Sequence, residues 1–220
     1  KDELVAQGIA PERVCVAPDG VDLSLFAQVQ SQADARRQLG LPLDKKIVMY
    51  IGRLDGWKGT DTLLDASQLL PSDVQMVVIG GESAQVAALR TKYPPVTFLG
   101  FLSYRDIANN QAAADVLVLP NTARDTTSRY YTSPLKLFTY MASGRPMVVS
   151  DLPSIREVVS ESEAFFVQPD SAQALAAGIV QALAAPDASA RAAAARKQVA
   201  EYTWDKRAGR IQAHLLCIKN

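Results

Sequence analysis

An excess of either charge is absent from this 220-residue chain, where 23 lysines and arginines stand against 23 aspartates and glutamates. A protein that grips nucleic acid or an anionic membrane through a broad basic face needs surplus positive charge, so neither partner is indicated. Any phosphate site must be a local cluster of cations. Histidine occurs once, as His214. It falls in the last helical segment and reads as structural or exposed, so the sequence offers no credible catalytic base. The two cysteines, Cys15 in an apolar run and Cys217 in the tail, are too few for a disulfide framework. Cys15 is expected as a buried thiol and the compartment as reducing. No run of about 18 apolar residues could span a bilayer. The opening stretch KDELVAQGIAPERV lacks the basic start and apolar centre of a signal peptide. These absences predict a soluble, cytoplasmic protein.

What is present is a series of short apolar runs: Val14–Ala17, Ile47–Ile51, Val74–Ile79, Val96–Leu99, Asp115–Leu119, Pro146–Val149 and Ala164–Val167. Most are apolar throughout rather than alternating, as expected of strands covered on both faces. Between them lie helix-length segments at Thr60–Leu70, Ser83–Lys92, Tyr104–Ala114, Ser133–Ala142 and Ser171–Ala184. Strands alternating with helices predict βαβ units and an α/β fold, a Rossmann-like, doubly wound parallel sheet with helices on both faces. The alanine-rich stretch from Ala172 to Ala200 reads as two helices broken near Pro186 and Asp187, and Asp205–Ile218 as a final helix. No linker or internal repeat divides the chain, so residues 1–220 form one domain.

In an open parallel sheet, ligands bind beyond the carboxyl ends of the strands, where loops diverge and helix N-termini point outward. The segment Gly52-Arg53-Leu54-Asp55-Gly56-Trp57-Lys58-Gly59 follows one such strand and opens a helix. It should place free backbone amides beside the cations of Arg53 and Lys58, a combination suited to an anion. The segment is neither a dinucleotide G-x-G-x-x-G fingerprint nor a P-loop, which argues against NAD binding and ATP hydrolysis. No Asp-x-Asp motif is present to hold a divalent metal, so none is expected. A second helix start lies at Thr132-Ser133-Pro134-Leu135-Lys136, with Ser133 as the expected N-cap and Ser143-Gly144 as the stop. Lys136 in the first turn opposes the helix dipole, a conflict that a bound diphosphate would remove. Before this helix runs the polar loop 121–131, with Arg124, Asp125, Arg129 and two tyrosines, longer than most connections and expected to face a ligand.

Five segments in order carry a family resemblance: APDGVDLSLF at Ala17–Phe26, YIGRLDGWKGTDTLL at Tyr50–Leu64, FLGFLSYRDIANNQAAADVLVLP at Phe98–Pro120, SPLKLFTYMASGRPMVVSDLPSIREVV at Ser133–Val159 and YTWDKRAGRI at Tyr202–Ile211. Together they cover nearly the whole chain. The sequence resembles the C-terminal domain of the family 4, group 1 glycosyltransferases, one half of the GT-B architecture.

The resemblance implies a donor-binding domain for a UDP- or GDP-sugar in an enzyme that transfers the sugar with retention. No cofactor is implied beyond the donor substrate itself. It also implies that the acceptor is held by an N-terminal domain outside this chain, through which any peripheral membrane contact would be made, and that this piece alone is inactive. Arg53 and Lys58, with Ser133, Leu135 and Lys136, take the places that hold the diphosphate. Gly100 and Phe101 fall where the base is packed. Many relatives carry two glutamates eight positions apart, near the sugar and on the ribose, where this chain has Tyr131 and Thr139, with Arg129 nearby. Catalytic residues are not assigned. Two alternatives remain open: a nucleotide-sugar-binding module that has lost transfer, and a GT-B sugar-nucleotide epimerase.

Overall fold

In the computed structural model, which describes residues 1–218, the chain forms a six-stranded parallel sheet wrapped by helices. The helix α1 (Asp2–Ala6) and α2 (Gln32–Leu39) precede the first strand. There follow β1 (Lys46–Ile51), α3 (Thr60–Ser67), β2 (Val74–Ile79), α4 (Ser83–Lys92), β3 (Thr97–Gly100), α5 (Ile107–Ala112) and β4 (Val116–Leu119). The second half adds α6 (Leu135–Ser143), β5 (Met147–Ser150), α7 (Pro153–Arg156), β6 (Phe165–Val167), α8 (Ala172–Ala184), α9 (Ala188–Gln198) and α10 (Trp204–Cys217). The strand order is β3-β2-β1-β4-β5-β6 with every pairing parallel.

Alternate residues of each strand feed two cores. Ile47 and Met49 of β1, Leu117 and Leu119 of β4 and Met147 and Val149 of β5 pack on one face with Leu137 and Met141 of α6, Ala108 of α5 and Ile155 of α7. On the other face Val48, Val78, Val116 and Val148 meet Leu63 and Leu64 of α3, Val86 of α4 and Leu175 and Ile179 of α8. Burial on both sides is why these strands read as continuously apolar. At about 25 cal/mol per Å² of apolar surface removed from water, each fully buried Leu or Ile contributes about 1.5–3 kcal/mol.

Six of the seven expected strands are present, and the alanine-rich region is broken into α8 and α9 where expected. The seventh is a correction. Val14–Ala17 forms no strand, and no residue before Gly20 is buried. Val16 is 52% exposed, and Cys15 is exposed rather than a core thiol. This run lies outside the sheet, and downstream of it the chain returns to the body of the domain through an isolated bridge between Val21 and Thr203. Cys217 is exposed as well. His214, in α10, is half-buried, and its Nε2 has no partner among the described residues. No helix among the described residues is long and apolar enough to cross a membrane.

Between β1 and β4 the order of strand addition reverses, so the loops leaving their carboxyl ends part and leave a crevice. Gly59 sets the edge of that crevice. It closes the turn 56–58 with φ +71°, and a Cβ there would lie 1.7 Å from the Pro120 carbonyl oxygen. The loops after β1 and β4 are thus packed back to back at a point only glycine can occupy.

Candidate functional site

A cleft of about 680 Å³ occupies this crevice. Its floor is the end of β1 at Ile51 and Gly52. One wall is the loop of Arg53, Trp57 and Lys58, and the other is the start of α6 from Ser133 to Lys136. Thus Arg53, Lys58, Ser133, Leu135, Lys136 and Thr139, separate in sequence, line one cavity.

The packing of α6 on β1 fixes this wall. Tyr140, fully buried, accepts a hydrogen bond at its hydroxyl from the Ile51 amide at 3.0 Å. One turn earlier Lys136 reaches over β1, where its Nζ donates to the Tyr50 hydroxyl at 2.9 Å and sits 4.1 Å from the Tyr50 ring centroid. The Tyr50 hydroxyl in turn donates to the Arg53 carbonyl at 2.7 Å. The contact is a cation over an aromatic face, not an ion pair, and no carboxylate lies within 4 Å of Nζ among the described residues.

Burial first, and Lys58 second, hold the Lys136 ammonium well below the ordinary lysine range, with Asp55 opposing. Lys58 is lowered too, by burial first, with Arg53 adding to it and Asp55 opposing. Asp55 is therefore the local counter-charge: its Oδ2 lies 3.2 Å from Arg53 Nε and 3.8 Å from Lys58 Nζ. One carboxylate facing three cations leaves the cleft short of negative charge. The first amides of α6 have no partner inside their own helix and add to that deficit.

The expected cap of α6 is corrected. The helix starts at Leu135 with Pro134 in the cap position, and Ser133 does not cap it. The Ser133 hydroxyl instead accepts the Asp19 amide at 2.9 Å, which stitches the segment before α2 to the cleft. The Asp19 carboxylate, the only one lining the cleft among the described residues, is paired with Arg207 of α10. The expected stop holds, with Gly144 left-handed at φ 66°.

Thr139 lies on the wall but is only 4% exposed. Its Oγ1 accepts from Gln111 Nε2 of α5 and donates to the Lys136 carbonyl, each at 3.0 Å. One lone pair of that hydroxyl is left for a ligand.

Four other expected residues lie elsewhere. Gly100 and Phe101 border a separate hollow of about 550 Å³ with Gly81, Glu82 and Arg90, and the Phe101 ring is 83% exposed. Arg129 and Tyr131 do not line the cleft. The Arg129 guanidinium lies 5.0 Å from the Tyr130 ring, and the Tyr131 hydroxyl donates to Glu3 of α1. Their loop is a built structure: a π-helical turn at Thr127–Tyr131, held by Asp125 accepting from the Ser128 amide at 2.8 Å and by Asp170 accepting from the Ala123 amide at 2.9 Å. These bonds turn the two side chains outward.

Asn121, the first residue of the loop expected to face a ligand, also lines the wall, and Asp19, Tyr104, Ile107 and Trp204, which sequence did not single out, complete it. Asp19 and Trp204 reach the cleft from opposite ends of the chain, and no local pattern reveals that. Among the described residues no group of three or more His, Cys, Asp or Glu side chains converges.

Comparison with known proteins bears on the fold and the family. The family described as Glycosyl transferases group 1 matches residues 45–185, well over half the chain. The chain is 32% identical over 231 residues to a D-inositol 3-phosphate glycosyltransferase of Xylanimonas cellulosilytica, covering 94% of this chain and 52% of that protein. Among solved structures it is similar to sucrose-phosphate synthase from Thermosynechococcus elongatus, with a TM-score of 0.75 and 30% identity over 93% of this chain and 52% of the other. Anabaena Alr3699/HepE, solved in complex with UDP, shares the fold at a TM-score of 0.80 and 22% identity, over 98% of this chain and 61% of that one. The chain spans about half the length of the curated relatives it matches. It belongs to the group 1 glycosyltransferases, with the Rossmann-like form of the C-terminal domain of their GT-B fold.

Proposed function

We propose that this chain is the donor-binding half of a glycosyltransferase that moves a sugar from a UDP- or GDP-sugar to an acceptor with retention at the anomeric carbon. The observation that carries the reading is Lys136. A half-buried ammonium stacked on Tyr50, beside Lys58 and Arg53 and without a carboxylate of its own, is a poor arrangement in an empty site. A diphosphate bound between the loop 53–58 and the start of α6 supplies the missing charge. No metal or organic cofactor enters this reading, because three cations and the helix amides neutralise the phosphates.

UDP is the first ligand to test, since Alr3699/HepE was solved with UDP. The base would lie toward β3 and the ribose near Thr139. The acceptor belongs to the half of the protein outside this chain, which also carries any membrane contact. Retention is what the resemblance to the family 4 enzymes implies. The departing phosphate of the donor then takes the acceptor's proton in a closed cleft.

Calorimetric titration of the chain and of Lys136→Met with UDP and GDP, with and without EDTA, tests the reading. Tight metal-independent binding by the parent and weaker binding by the variant are expected. Equal binding by both proteins, or binding abolished by EDTA, would sink it. A second reading, a binding module without transfer, is favoured by Thr139 in place of a glutamate. A transfer assay on the longer protein separates the two.

A further inference from the structure

Five buried side-chain atoms lack a hydrogen-bond partner among the described residues, on Gln111, Asn121, Ser128, Gln198 and His214. Only Asn121 of these lines the cleft. It is 2% exposed, and its Oδ1 accepts nothing. A buried acceptor without a donor destabilises a fold, and the neighbouring backbone gives it no relief. Pro120 before it is packed on Gly59, and the Thr122 amide after it is committed to the Trp57 carbonyl. The position is thus fixed from both sides while Oδ1 stays unmatched.

We infer that Asn121 is a contact to the donor sugar, its Oδ1 accepting a hydrogen bond from a sugar hydroxyl. The inference rests on the nucleotide-sugar reading above and deepens it. An orphaned acceptor calls for a hydroxyl or N–H donor, which a phosphate dianion lacks. Position selects among the donors of such a ligand. Along the carboxyl edge of the sheet, β3 lies on one side of β1 and β4 on the other. The cations that suit the diphosphate stand over the end of β1. With the base toward β3, a ligand extended across the edge carries its sugar toward β4, and Asn121 is two residues beyond β4's last residue, Leu119.

The test pairs binding with stability. The chain, Asn121→Ala and Asn121→Ser are titrated with UDP, GDP, UDP-glucose, UDP-N-acetylglucosamine and GDP-mannose, and melted without ligand. For the sugar nucleotide the parent binds best, both variants should lose about tenfold in affinity, the loss of one buried hydrogen bond. Affinity for the matching nucleoside diphosphate should change less than about twofold. The melting temperature of the empty variants should be equal to or above the parent's, because an unmatched polar group has been removed. Unchanged sugar-nucleotide affinity, an equal loss for both ligands, or a lowered melting temperature with unchanged binding each overturns the inference. A parent that binds no nucleoside diphosphate overturns the reading of the site and this inference with it. A parent whose UDP or GDP binding depends on Lys136, alongside variants that still prefer the sugar form, overturns this inference alone.

Discussion

Lys136 Nζ stands 2.9 Å from the Tyr50 hydroxyl and 4.1 Å from the centroid of its ring, so that a cation from the first turn of α6 is tied to the middle of the sheet by a phenol rather than by an acid. The tie has a mechanical effect. Because Tyr50 also donates to the Arg53 carbonyl, the start of α6 and the loop after β1 share one anchor. Displacement of either cation is felt by the other.

The three cations should differ in what they contribute to diphosphate binding. Charge-assisted hydrogen bonds contribute about 1.5–3 kcal/mol where water is excluded. Lys58→Ala and Lys136→Ala should therefore weaken UDP or GDP binding about tenfold to a hundredfold. Arg53, whose side chain is 79% exposed, is screened by solvent, and Arg53→Ala should cost about 0–1 kcal/mol. Calorimetry on the three variants measures the order. A larger loss for Arg53 would show that its side chain folds inward on binding.

Stability should depend on pH through Lys136. Its folded-state pKa is lowered, while the unfolded chain keeps the proton up to the ordinary value of 10.5. Between those two values the unfolded state binds more protons, so stability rises with pH across that window. A bound diphosphate favours the ammonium, so affinity should fall over the same rise and binding within that window should take up protons. Lys136→Met should flatten the slope without abolishing it, because Lys58 shifts in the same direction. Melting curves at several pH values, and titrations in buffers of different ionisation heat, check both arms.

Replacing Thr139 by glutamate should tighten nucleoside diphosphate binding about tenfold to a hundredfold, since a carboxylate can accept from two ribose hydroxyls. The same change should lower stability by about 1–3 kcal/mol, because Gln111 loses its partner at Thr139 Oγ1 while its Oε1 is already unmatched. Titration and chemical denaturation of Thr139→Glu read the two effects separately. Equal or weaker binding with the fold intact by circular dichroism removes Thr139 from the ribose site.

The purified 220-residue chain should bind donor and transfer nothing. An acceptor has to be held against the anomeric carbon by a facing surface that also excludes water, and every wall described here belongs to the donor side. Turnover of a labelled sugar nucleotide by the chain alone would refute this.

The strands, and the cations of the site, were legible because their signals are local. A strand covered on both faces is apolar throughout, and the segment Gly52–Gly59 carries its glycines and cations within one turn. The failures share a cause. Val14–Ala17 has the composition of a buried strand, but composition does not say whether a sheet edge is free to receive it. Ser133 has the chemistry of a cap, yet its hydroxyl is taken by the Asp19 amide, 114 residues away. Of the loop 121–131, expected to face a ligand, Asn121 lines the cleft, but Arg129 and Tyr131 belong to a turn ordered in part by Asp170, 47 residues further on from Ala123. Gly100 and Phe101 are at the expected edge of the sheet and border a hollow beside the cleft.

The pairing of Asp19 with Arg207 bears on when the cleft comes into existence. The sheet is assembled from neighbouring βαβ units, but the cleft takes one wall residue from Asp19 and another from Trp204. Contacts so far apart in the chain close slowly, after most of the entropy of the intervening segment has been lost. The sheet would thus form before the wall that Asp19 and Trp204 complete. Because α10 contributes no buried residue, that last wall would also be among the first parts to open in hydrogen exchange, well below the free energy needed to unfold the strands.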